Sequence, residues 1–189
     1  RHFVRTDGSP ITPPDPDPDD VPTLPEPEPP PVITPPSEGI TADNYRDVED
    51  PATLLPPLIW RGSPNIFPNR RGFGDPVAIV YHITDSMSTA GDVGWLTNPA
   101  SGASATFVIA RDGTVYQLVS SKDGPWTNGD VNNPRTDIPW LNQLIASGQN
   151  PNVATITYEF TGTPSQPPTD AQYEAAIKLS RYFCHPKVY

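Results

Sequence analysis

Sulfur is nearly absent from this 189-residue chain, which holds one cysteine, Cys184, and one methionine, Met87. A single thiol excludes an internal disulfide framework, so any fold must rest on a packed core, and it leaves the redox compartment undecided. Basic residues are also scarce: 12 Lys and Arg face 22 Asp and Glu, for a net charge of −10. With no basic stripe to displace counterions from phosphates, nucleic acid is not an expected partner. No run approaches the roughly 18 apolar residues that span a bilayer, so no membrane span is expected. The opening Arg1-His2-Phe3-Val4-Arg5 lacks the apolar stretch of a signal peptide and the chain has no initiator Met. Together these lacks predict a soluble chain that is a processed product or part of something longer.

Proline, by contrast, is abundant, at 28 residues. Thirteen of these fall within residues 10–36, PITPPDPDPDDVPTLPEPEPPPVITPP, and residues 1–50 carry 12 acidic against 3 basic side chains. The acidity therefore belongs to a tail and the remainder is nearly neutral. Proline fixes φ and excludes the preceding residue from the helical region, so residues 1–37 read as an acidic, extended polyproline spacer. A spacer implies an N-terminal tether to a larger protein or assembly. Residues 38–75 bring in Tyr45, Leu54, Leu55, Leu58, Ile59 and Trp60, broken by five prolines, and read as an irregular arm packed on a domain of residues 76–189.

Within that domain, residues 77–81 (VAIVY) form a short β-branched apolar run of the kind covered on both faces, the best candidate for a central strand. A short helix is predicted over residues 90–96, with Ser86, Ser88 and Asp92 as possible caps. Residues 105–110 and 114–119 flank Arg111-Asp112-Gly113, a hairpin signal. Residues 122–152 read as loop with a short helix near residues 140–147. Residues 154–160 alternate, with Ile156, Tyr158 and Phe160 facing a core and Thr155, Thr157 and Glu159 facing the other way. Thr169 and Gln172 make a capping box for a helix whose predicted apolar stripe is Tyr173, Ala176, Ile177, Ser180 and Cys184, widened by Leu179 and Phe183. Strand, helix, hairpin, strand and helix in this order predict an α/β domain, a central mixed sheet flanked by helices.

Two residues could carry chemistry. His82 follows directly on the apolar run, so its backbone is fixed by a sheet while its imidazole emerges near the strand's end, suited either to metal ligation or to an ordinary structural role. Glu159 lies on the polar side of another strand, where a carboxylate serves as a general base or as a solvated surface charge.

Five ordered segments, over about 110 residues, resemble the type-2 N-acetylmuramoyl-L-alanine amidases, which include phage endolysins and share a fold with peptidoglycan recognition proteins. They are VAIVYHITDS (residues 77–86), WLTNP (95–99), SATFVIARDGTVYQLV (104–119), TITYEFTG (155–162) and TDAQ (169–172). The resemblance implies a zinc hydrolase cutting the amide between the N-acetylmuramic lactyl group and L-Ala of peptidoglycan. It places a zinc ligand at His82, a glutamate base at Glu159 within an I-x-x-E-x-x-G pattern, and Trp95, Thr106, Trp126 and Asn128 along the substrate groove. It also implies a cell-wall, extracellular or phage-lysis setting.

The chain departs from the family pattern at Thr106 and Thr127, where many members carry histidine. The family's remaining ligands, a His and then an Asp or Cys, follow the capped helix, so they are expected beyond Tyr189. Cys184 and His185 do not replace them, because adjacent helical residues point about 100° apart. Two other readings remain open: a non-catalytic peptidoglycan-binding module, and a structural component of a virion or cell surface.

Overall fold

The structure, a computed structural model, describes residues 44–129 and 137–189. The acidic spacer assigned to residues 1–37 lies outside the described residues, as does part of the long loop before residue 152. A short turn at Pro51–Leu54 leads into strand β1 (Leu58–Trp60), followed by β2 (Ile66–Phe67) and β3 (Ala78–Ile83). Helix α1 (Thr89–Thr97), strands β4 (Phe107–Ile109), β5 (Val115–Gln117) and β6 (Gly124–Pro125), helix α2 (Pro139–Ala146), strand β7 (Thr155–Phe160) and helix α3 (Asp170–Phe183) complete the order. The main sheet is mixed, with strand order β1-β5-β4-β7-β3, and β2 and β6 form a separate antiparallel pair. The expected α/β architecture is therefore the one found.

Local chemistry explains the elements that the sequence marks most clearly. The β4–β5 hairpin is antiparallel, and Gly113 turns it with φ +87° while Asp112 Oδ1 accepts from Thr114 N at 2.9 Å. Helix α1 is capped by Ser88, whose hydroxyl accepts from Gly91 N at 3.1 Å. The capping box of α3 is complete, since Thr169 Oγ1 accepts from Gln172 N and Gln172 Oε1 accepts from Thr169 N. Gln172 does more than cap: buried, it also donates through Nε2 to the carbonyls of Ile109 and Thr161. The helix start is thereby tied to the ends of β4 and β7.

Three expectations change. The apolar run in β3 forms an edge strand, and the central positions belong to β4 and β7. Apolarity along a strand reports what lies above and below it, not whether it has a neighbour on each side, and Tyr81 in β3 is in fact exposed. The buried stripe of α3 is Ala175, Ala176, Leu179 and Phe183, whereas Tyr173 and Ile177 are exposed and Cys184 lies at the helix end, also exposed. The stripe is thus rotated by about one residue from the expected one, because the sheet meets the helix from the side of Leu179. Lastly, residues 58–60, assigned to the irregular arm, pair in parallel with β5 as the first strand of the main sheet.

The core lies on both faces of the sheet. One face packs Phe107, Ile109, Ile156, Tyr158 and Phe160 against α3. The other packs Val108 and Leu118 against Val93 and Leu96 of α1. His185, just past α3, is fully buried, bonded through Nε2 to the Val48 carbonyl at 3.1 Å and accepting at Nδ1 from Lys187 N at 3.2 Å. It is a fastener between the arm and the end of α3, which removes it from any ligand role.

Gly113 offers a direct test of the hairpin's docking on α3. A Cβ there would sit 2.9 Å from the Ala171 carbonyl oxygen, on a residue already in the left-handed region. Gly113→Ala is expected to cost about 1–2 kcal/mol or more, from the left-handed conformation alone. Denaturant unfolding should show a lower midpoint with an unchanged slope; a midpoint equal to the parent's would contradict this packing.

Candidate active site

The site is set by strand register. Strands β3 and β7 run parallel with His82 opposite Glu159, and β4 adds Val108 on the other side of Glu159. Residues paired in a sheet share a face and stand about 4.8 Å apart between strands. The imidazole and the carboxylate are therefore neighbours, on the face opposite α3. The alternation in β7 puts Thr155, Thr157 and Glu159 together, as the sequence predicts. It does not leave them solvated, because Thr155 and Thr157 are fully buried and Glu159 is largely so.

Burial requires that these hydroxyls be paired. Thr157 Oγ1 accepts from Thr106 N at 3.0 Å, Thr106 Oγ1 accepts from Thr157 N at 3.1 Å, and the hydroxyls of Thr127 and Thr157 meet at 2.9 Å. Thr127 also donates to the Ser104 carbonyl at 2.6 Å. Hydroxyls thus fill the two places where the family resemblance leads one to look for histidine.

His82 is half-buried, and its Nε2 lies 2.8 Å from Asn128 Oδ1. Glu159 Oε2 is buried and has no partner among the described residues. Burial accordingly holds the Glu159 carboxyl above the ordinary carboxylate range, with Asp92 adding in the same direction and His82 opposing. Asp92, buried on α1, accepts from Thr161 Oγ1 at 2.8 Å.

The expected groove residues separate. Trp95 is exposed and lines, with Asp92, Leu96, Ser86 and Glu159, a cavity of about 420 Å³. Asn128 reaches the site through His82. Thr106 does not face a groove: it is fully buried and bonded into β7, a correction that follows from its position directly before β4. Trp126 packs on Phe67, with ring centroids 5.7 Å apart, and belongs to the scaffold beneath the site. Asn152 is the contributor that the sequence does not announce. Its buried Oδ1 accepts from both Thr127 N and Asn128 N, and an Asn-Pro-Asn turn is its only local signal.

The family model described as N-acetylmuramoyl-L-alanine amidase matches residues 72–187, more than half of the chain. The chain belongs to this amidase family. Its fold is similar to that of a selenomethionine derivative of AmpD, with a TM-score of 0.52 at 21% identity over 71% of this chain and 78% of that one. Staphylococcus aureus hydrolase AmiA aligns with a TM-score of 0.44 at 20% identity, over 68% of this chain and 57% of that one. The N-acetylmuramoyl-L-alanine amidase endolysin LysCS of Clostridium intestinale URNW aligns with a TM-score of 0.40 at 21% identity, over 68% of this chain and 73% of that one. No curated protein matches in sequence.

The family resemblance raises the matter of zinc. Among the described residues no group of three His, Cys, Asp or Glu side chains is placed to hold a metal ion. His82 brings one imidazole and Glu159 an adjacent carboxylate, short of the three protein donors that a catalytic zinc takes. The described residues alone do not complete a metal site.

The raised proton affinity of Glu159 has a thermodynamic consequence. Above the unfolded-state pKa of a glutamate, about 4.3, the folded state holds the Glu159 proton more tightly than the unfolded state, so stability falls as pH rises through the raised folded value. Glu159→Gln, which carries no charge to bury, is expected to be more stable than the parent at pH 7. The difference should shrink towards pH 4. A variant less stable than the parent at neutral pH would show that the carboxylate is favourably paired when charged.

Proposed function

We propose that this domain hydrolyses the amide between N-acetylmuramic acid and L-alanine in peptidoglycan, with Glu159 as its general base. Family membership supports the class of reaction, and the pairing of His82 with Glu159 on the sheet face opposite α3 is the single observation that carries the residue assignment. A carboxylate with raised proton affinity, lining a cavity, can take the proton of an attacking water and return it to the departing amine nitrogen. General acid–base catalysis works best when that group titrates near the working pH. Trp95, exposed beside the same cavity, offers an apolar face for the sugar or lactyl part of the substrate.

We further propose zinc as the metal, with His82 as one ligand and the others supplied from outside the described residues. The proposed setting is the bacterial cell wall, reached by a secreted or phage-borne enzyme held by its N-terminal segment. The rival reading is a module that binds walls without cutting them. It draws on the hydroxyls of Thr106 and Thr127, which replace polar groove residues by a packed network.

Purified cell walls, treated with the protein carrying the segments that supply those further ligands, separate the two. New L-alanine amino termini should appear on digestion, and Glu159→Gln should lower that rate by about 10²-fold or more while the protein still binds walls. His82→Ala should lose bound zinc, measured by elemental analysis, together with turnover. Full activity in Glu159→Gln would defeat its assignment as base, and wall binding without release of amines would favour the module.

A further inference from the structure

A chain of asparagines ends on the imidazole of His82. Asn150 Oδ1 accepts from Asn152 N at 2.9 Å, and Asn152 Oδ1 accepts from Asn128 N at 2.9 Å and from Thr127 N at 3.2 Å. Asn128 Nδ2 then donates to Thr155 Oγ1 at 2.9 Å, and its Oδ1 meets His82 Nε2 at 2.8 Å. Both ends of the Asn128 amide are thus engaged, and its backbone is held by a side chain that is only 3% exposed. The adjoining Thr127 hydroxyl is pinned to Ser104 and Thr157. A loop fixed at this many points holds its side chain in one place.

We propose that Asn128 is a positioning residue that fixes both the tilt and the tautomer of His82. An amide whose Nδ2 donates to a threonine hydroxyl presents its oxygen to the ring, and an amide oxygen only accepts. Nε2 therefore carries the proton, and Nδ1 keeps its lone pair as the ring's open acceptor. Thr155 pairs with Ala78, four residues before His82, so the Asn128 bond also draws the ring back along β3. This leaves Nδ1, close to the Cβ, as the nitrogen available to an incoming group. The partner of the second ring nitrogen commonly sets which nitrogen of a histidine is active. Here that partner is a neutral amide held by β7 and by Asn152, in place of a carboxylate or backbone carbonyl.

The tautomer test does not depend on the amidase reading; only the activity arm below rests on it. Long-range ¹H–¹⁵N NMR of the full chain in basic solution, with the His82 signals assigned by their absence from His82→Gln, should show an Nε2-protonated ring. Its Hε2 proton should exchange slowly enough to be resolved. Asn128→Ala should lose that proton resonance to solvent exchange. Asn128→Asp, whose carboxylate still accepts, should keep it. Thr155→Val removes the anchor of the amide without touching His82, and should speed the exchange even if Asn128→Ala fails to fold.

An Nδ1-protonated ring in the parent would mean that the amide faces the other way and would overturn the proposal. So would an Hε2 resonance unchanged in both Asn128→Ala and Thr155→Val. On cell walls, Asn128→Ala should lower kcat/KM by about 10-fold or more, with Asn128→Asp recovering part of it. A parent protein that carries the further ligand segments, binds zinc and still cuts no walls defeats the proposed function and leaves the tautomer measurement to decide the role of Asn128.

Discussion

The parallel register between β3 and β7 is the constraint on which the rest of this molecule depends. It places His82 level with Glu159 and, by the same alternation, sends Tyr81, Tyr158 and Phe160 to the opposite side, where Tyr81 meets Tyr158 edge-on at 5.3 Å and stacks on Phe160 at 6.1 Å. A slip of one residue in either strand would carry the functional side chain into the aromatic layer and bring a tyrosine or isoleucine to the site. Because the aromatic layer and α3 are bulky and apolar, such a slip is penalised on both faces at once. The packing of one face thus fixes the juxtaposition of His82 and Glu159 on the other.

That second face is unusual in being both polar and buried. Thr106, Thr127 and Thr157 satisfy one another and the neighbouring backbone, and Thr155 Oγ1 accepts from Asn128 Nδ2, so the sheet tolerates buried hydroxyls on this face. Each of these bonds adds little net free energy, but leaving any of the groups unpaired costs on the order of 1–3 kcal/mol. A fully paired network is therefore stiff. Glu159 is the exception, with one carboxylate oxygen sealed and unpartnered among the described residues. Stiffness around an unsatisfied, desolvated carboxylate is a sound arrangement for a base: its surroundings do not relax to solvate the charge, so its affinity for a proton stays raised.

What the sequence discloses follows the range of the interactions involved. The hairpin at Gly113, the Ser88 cap and the Thr169–Gln172 box are decided by residues a few positions apart, and all are found where the pattern puts them. The alternation in β7 is equally local, and it correctly separates Glu159 from the core. The edge position of β3 is not local, since it depends on which strand lies beside it across the whole sheet. The burial of Thr106 and the two-fold grip of Asn152 likewise join segments 51 and about 25 residues apart in sequence. No periodicity records such pairings. His185 illustrates the same limit: adjacency to Cys184 invites a ligand reading, and only the distant carbonyl of Val48 shows it to be a fastener.

The rigidity of the site has a source further away still. Asn69, Arg70 and Arg71 all adopt left-handed backbone angles, with φ between 45° and 50°. Such angles cost roughly 1–2 kcal/mol per residue outside glycine, so the turn persists only because something offsets it. Arg70 supplies that offset. Its guanidinium, 1% exposed, donates to the carbonyls of Ser121, Val153 and Thr155, and Asn69 N adds a bond to Asp123 Oδ1 at 2.8 Å. Val153 and Thr155 bracket the entry to β7, one residue beyond Asn152. The same strained turn therefore fixes the base of the strand that carries Glu159 and the asparagine that grips the Asn128 loop. Both His82 and Glu159 are held from one buried cation, Glu159 through its own strand and His82 through the chain of amides. That arrangement accounts for a turn that would otherwise unwind.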